Sequence, residues 1–128
     1  DIASGRAVRG VQFDRSRTDH PDTGHELASL QITGWTTLLE LASGCYEMTG
    51  LGYLGTDMVL DRDRGPMLLE LNARPGLAIQ MANGEGLRRR LDLIEAQTEE
   101  RSAAERVAFA QHHFARQGEL QEAPAEAI

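Results

Sequence analysis

Asp57, Glu70 and Asn72 are the residues of this chain whose types and spacing point most directly to chemistry. They lie in the run GYLGTDMVLDRDRGPMLLELNARPG, residues 52–76, which reads as a β-hairpin. Residues 54–60 form one arm, 61–66 the turn and 67–72 the second arm. If the hairpin closes symmetrically, Leu60 faces Met67 and Asp57 faces Glu70. Directly opposed residues have Cβ atoms about 5 Å apart, and like charges there repel. Side chains alternate between faces, so Glu70 and Asn72 share the face of Asp57. The other face carries Leu54, Met58, Leu60, Met67, Leu69 and Leu71, with Thr56 as its polar member, and is expected to be core. An all-oxygen cluster suits a hard divalent cation such as Mg²⁺, which takes one or two carboxylates and completes its shell with water and phosphate oxygens. The competing reading is an ordinary solvated hairpin, and a one-residue bulge would break the facing pair.

The spacing carries a resemblance as well. Asp57, twelve residues, then Glu70-x-Asn72 and Pro75-Gly76 is similar to the C-terminal signature of ATP-grasp ligases. Gly52-x-x-Gly55-x-Asp57 leads into the pattern and Asn72-Ala-Arg-Pro-Gly76 leads out of it. The wider stretch from Cys45 to Leu87 resembles the glutamate-ligase-like branch, related to the ribosomal-protein glutamate ligase. With a looser likeness at His20-Pro-Asp-Thr-Gly24, the resemblance spans roughly residues 6 to 95. It implies that Asp57, Glu70 and Asn72 hold Mg²⁺ or Mn²⁺ on the phosphates of ATP. It implies carboxylate activation through an acyl-phosphate, followed by attack of an amine to form an amide. Magnesium would offset charge on the attacking and leaving oxygens of that phosphoryl transfer. Glu70, Asn72 and Arg17 are the implied ATP contacts, with ATP and a carboxylate–amine pair as partners.

Arg74 is the catalytic candidate. It continues the metal-bearing face if the strand persists, and its fork suits a phosphate or carboxylate. A surface Arg before a turn is the equal alternative, because related ligases often carry a small polar residue there. Gly55 stands where some of these ligases place an Arg. Arg15 and Arg17 lie where relatives carry phosphate- or substrate-facing arginines, although a solvated loop accounts for them too. His20 and Asp22 could pair, but HPDTG is first of all a turn sequence. Cys45 lies on an apolar helix stripe and reads as core. His112-His113 reads as structural, and Arg88-Arg89-Arg90 as a solvated face.

The elements that must position these residues follow from periodicity. Residues 6–13 read as a strand that joins the hairpin sheet, and residues 14–26 as loop. Residues 27–32 form a short extended segment. A helix is expected over residues 35–48, with Thr33 as N-cap, Gly50 as C-cap, and Trp35, Leu38, Leu39, Ala42, Cys45 and Met48 as its stripe. Shorter helices are expected over 77–82 and 87–94. A last helix spans 99–116, with Ala103, Val107, Ala110 and Phe114 inward. The expected fold is α+β, an antiparallel sheet with helices on its apolar face, as in the C-terminal lobe of the ATP-grasp fold.

The chain has 128 residues and a formal net charge of −7, with no Lys at all. An acidic balance argues against a nucleic-acid partner. No apolar run reaches transmembrane length. One Cys excludes an intrachain disulfide, and with no hydrophobic leader a cytoplasmic setting is expected. ATP-grasp enzymes clamp ATP between lobes, and the N-terminal side supplies lysines and the adenine pocket. The expectation is therefore a partial lobe over residues 1–117, with a disordered tail over 118–128, missing its N-terminal lobe and inactive alone. Val8, Val11, Leu27, Leu30 and Ile32 are the surface expected to meet that lobe or a second copy in a homo-oligomer. The alternative function is a non-catalytic binding or interaction module derived from such a lobe.

Overall fold

A computed structural model describes residues 1–116, so the tail expected over 118–128 lies outside the described residues. The fold is α+β, with two small antiparallel hairpins and four α-helices. Strands β1 (Gly10–Gln12) and β2 (Arg15–Arg17) pair with each other. A 3₁₀ turn at Leu27–Ser29 leads to α1 (Trp35–Thr49). Strands β3 (Gly55–Asp61) and β4 (Gly65–Asn72) form the second hairpin. Helices α2 (Ala78–Asn83), α3 (Arg88–Glu95) and α4 (Ala103–Phe114) follow.

The first strand does not join the hairpin sheet. It turns back at Phe13 and Asp14, both at positive φ (50° and 59°), and pairs with Arg15–Arg17, a segment expected to be loop. A two-residue turn with both centres left-handed matches the twist of a hairpin, and Asn or Gly is the usual occupant. Phe13 carries no such signal in the sequence.

Helix α1 packs against both β4 and α4. Its start differs from expectation: Gly34, not Thr33, is the N-cap, at φ 65° with no side-chain cap bond. Its end agrees, since Gly50 at φ 67° donates its N–H to the Tyr46 carbonyl at 2.7 Å. Cys45 is core as expected, 1% exposed, and Val107 of α4 is the other fully buried apolar side chain among the described residues. Met48 departs from the expected stripe and is 74% exposed. Helix α4 starts at Ala103, later than the expected residue 99, because Ser102 and Glu105 close a capping box there. His113 lies against Phe109, with ring centroids 4.3 Å apart. Arg88 pairs with Asp92 and Arg90 with Glu85.

One side chain fastens α4 to α1. The Arg106 guanidinium donates to the Ser43 hydroxyl and carbonyl at 3.0 Å each, to the Arg101 carbonyl, and to the Glu47 carboxylate at 2.6 and 2.9 Å. Arg106→Ala is expected to cost about 2 kcal/mol through the lost bonds to Ser43 and Arg101. The exposed bridge to Glu47 adds little to that. It does set a pH dependence. The hydrogen bond from Arg106 holds the Glu47 carboxyl below its ordinary value of 4.5, and the bond from Ser102 does the same for Glu105. A carboxyl with a lowered native value stabilises the fold fully above the unfolded value and loses that contribution as pH falls through the native one. Thermal melts from pH 6 downward should fall below about pH 4.5, and Arg106→Ala should flatten part of that fall. A melting profile in the variant that parallels wild type would rule out the Glu47 contribution.

Candidate functional site

Strands β3 and β4 carry the candidate site. The register pairs Gly55 with Asn72, Thr56 with Leu71 and Asp57 with Glu70. The expected Asp57–Glu70 pairing is therefore present. Beyond it the register slips by one: Met58 pairs with Leu68, Val59 with Met67 and Leu60 with Pro66. The expected Leu60–Met67 pairing is corrected accordingly. Leu69 is the extra residue, and the bulge sits directly beside the carboxylate pair without breaking it.

The bulge rearranges the expected apolar face. Leu69 is 65% exposed and Leu60 44% exposed, while Leu68, expected on the polar side, is half-buried. Met58, Met67 and Leu71 are half-buried as a core face requires. Bulges bend a strand, increase its twist and re-aim side chains, and they are frequent beside functional sites. Nothing in MLLELN distinguishes a bulged Leu from a regular one. The three-residue loop Arg62–Arg64 is closed by Gly65 at φ 76° and by the Asp61 carboxylate, which accepts the N–H groups of Asp63 and Arg64 at 3.0 and 2.9 Å.

Asp57, Glu70 and Asn72 are all exposed. Among the described residues, neither carboxylate belongs to an ion pair. No three His, Cys, Asp or Glu side chains gather among the described residues. Asp57, Glu70 and Asn72 offer two carboxylates and a carboxamide, donors of oxygen alone, the chemistry that suits a hard cation.

Arg74 is not placed by strand alternation, because β4 ends at Asn72. The Asn72 Oδ1 accepts the Arg74 backbone N–H at 2.9 Å, closing an Asx turn that leads to Pro75. The Asn–x–x–Pro–Gly composition is the sequence signal for that turn. Arg17 lies on the separate β1–β2 hairpin, which is not hydrogen-bonded to β3–β4. It lines an open depression of about 530 Å³ with Ser16, Thr18, Asp19, His20, Pro21 and Gly24. His20 and Asp22 form no side-chain pair there. Instead the His20 Nδ1 accepts the backbone N–H groups of Asp22 and Thr23 at 3.2 and 3.3 Å. That geometry needs an unprotonated Nδ1, and it makes His20 a brace for its own turn.

The acidic hairpin packs through β4 against α1. The chain belongs to the sugar-transfer associated ATP-grasp family, whose sequence pattern residues 1–96 match. The ATP-grasp relation expected from the Asp–Glu–Asn spacing thus holds, while the matching family is not the glutamate-ligase-like branch. No curated protein and no solved structure matches the chain. No helix among the described residues is long and apolar enough to cross a membrane.

Proposed function

We propose that this chain is the metal- and phosphate-holding portion of an ATP-dependent carboxylate–amine ligase. The observation that carries the reading is the facing Asp57–Glu70 pair, exposed, with Asn72 on the same face and, among the described residues, no cation paired to either carboxylate. Two opposed carboxylates destabilise a hairpin unless a cation joins them. Asp57, Glu70 and Asn72 would together hold Mg²⁺ on the phosphates of ATP. The ions, when bound with ATP, supply the positive charge that an acyl-phosphate-forming transfer needs. The chain's own groups would orient and neutralise: Arg74, whose backbone N–H is held by the Asn72 Oδ1, would offer its guanidinium to a phosphate or substrate carboxylate. Arg17 would reach an anion from the other hairpin.

The family description associates these proteins with sugar transfer. That directs the search for a substrate toward carboxylates and amines found with sugar-transfer enzymes, ahead of glutamate addition to a protein. The surface supports a partner. Leu77, Ile79 and Met81 around α2 are 62%, 69% and 67% exposed. Val8, Val11 and Leu30 are also exposed, while Leu27 and Ile32 are half-buried. Apolar exposure of this kind tends to mark an interface, here with a further lobe or a second copy of the chain.

Mn²⁺ titration of the chain, followed by the loss of free-ion signal, tests the reading. Binding is expected, together with no ATP-dependent amide formation by the chain alone. A chain that binds no Mn²⁺ would defeat the metal assignment. Ligation without an added partner would defeat the partial-lobe assignment. A sedimentation series in concentration reads the pairing, and a monomer throughout would remove the second-copy option.

A further inference from the structure

The metal face carries a residue whose contribution is the absence of a side chain. Gly55 lies directly across from Asn72. A Cβ built at Gly55 would stand 3.0 Å from the Pro75 Cβ and 3.5 Å from the Asn72 Cβ. Two carbon atoms sit comfortably about 3.5–4.0 Å apart, so Pro75 would have to give by a few tenths of an ångström to admit a Cβ at position 55. Gly55 is not left-handed and is not a turn residue; its φ is not among the positive ones. What demands glycine here is the approach of the 72–75 turn. That turn is closed by the Asn72 Oδ1 accepting the Arg74 N–H, and it brings half-buried Pro75 back over the strand.

We infer that Gly55 is a positioning residue for the metal face. By admitting Pro75, it lets the Asn72–Pro75 turn close and fixes the Asn72 carboxamide beside Asp57 and Glu70. Any side chain at position 55 pushes Pro75 outward. The push travels through Arg74 to the hydrogen bond that orients Asn72. The inference rests on Asp57, Glu70 and Asn72 holding a divalent cation.

The test uses the full chain, with Mn²⁺ alone as probe, in wild type, Gly55→Ala, Pro75→Gly and the double variant. Thermal melts confirm that each is folded, and amide-proton exchange at Arg74 reports the turn without metal. Gly55→Ala is expected to weaken Mn²⁺ binding about tenfold, the scale of losing a group that orients a ligand. It should also speed Arg74 exchange about tenfold by opening the turn. In the Pro75→Gly background the same substitution should cost less than about twofold, because the clash partner is gone. Equal losses in both backgrounds would mean that Gly55 acts through strand flexibility, and would overturn the inference. So would Gly55→Ala with wild-type Mn²⁺ affinity and wild-type Arg74 exchange, and in that case the metal reading stands. If wild type itself binds no Mn²⁺, the metal reading falls. Arg74 exchange then decides alone whether Gly55 sets the turn.

Discussion

Glu70→Gln is expected to abolish divalent-cation binding while making the metal-free chain slightly more stable. The two effects have opposite signs because they come from the same charge. Asp57 and Glu70 are paired across the hairpin. Without metal, like charges at that spacing are unfavourable by about 0.5 kcal/mol, a penalty that salt screens. Gln keeps the size of the side chain and removes the repulsion. The variant should therefore melt a little higher than wild type at low ionic strength, and the gain should shrink as salt is added. With Mn²⁺ the order reverses. A cation bound only by the native state raises stability by RT ln(1 + [L]/Kd), so wild type should gain and the variant should not. Affinity should fall about a hundredfold or more, since a charged ligand is lost outright and orienting groups alone cost about 10–100-fold. Asn72→Ala should weaken binding less, and should lower the metal-free melt slightly through the lost bond to the Arg74 N–H. Glu70→Gln with wild-type Mn²⁺ affinity would remove Glu70 from the site.

The parts legible in the sequence were those written in local chemistry. Symmetric closure of the hairpin at Leu60–Met67 predicts the Asp57–Glu70 pairing; the strands instead pair Leu60 with Pro66, and the extra residue at Leu69 brings Asp57 and Glu70 back opposite each other. Helix α1 was legible from a stripe at helical spacing and from Gly50 at its end. Burial of Cys45 followed from the same stripe. What escaped were features set by neighbours. The extra residue at Leu69 depends on how β4 bends over α1, and a run of three apolar residues hides it. The β1–β2 hairpin turns on Phe13 and Asp14, both at positive φ; Asp tolerates that region, whereas an exposed Phe there carries no sequence signal. Arg74 was assigned to a face by continuing the strand, whereas Asn72 ends the strand by accepting the Arg74 N–H itself.

The largest loss of stability is expected from Gly5→Ala, a change of one methyl group. Gly5 is buried and left-handed, at φ 71°. A Cβ there would stand 2.5 Å from the Trp35 Cγ and 2.8 Å from its Cβ. Those Trp35 atoms lie next to the α1 backbone, so rotating the ring cannot clear them. Either the 1–5 segment or the first turn of α1 must move. Trp35 is also the anchor of that segment, since its Nε1 donates to the Ile2 carbonyl at 2.7 Å. Displacing it breaks that bond and disturbs the Gly5 carbonyl, which accepts the Ile32 N–H at 3.0 Å. A left-handed alanine costs about 1 kcal/mol and overpacking about 1–3 kcal/mol. Together these amount to about 3 kcal/mol, or roughly 10–20 °C in melting temperature for a domain of this size. Gly24→Ala is the internal comparison. Gly24 has nearly the same φ, 66°, but nothing within 4 Å of its would-be Cβ. It should carry the conformational cost alone, about 1 kcal/mol. The chain has one Trp, so its emission reports the contact directly. Gly5→Ala should shift native emission to the red, and Gly24→Ala should leave it unchanged. Equal melting losses in the two variants would mean that Gly5 is required for its backbone angle and not for the space it leaves to Trp35.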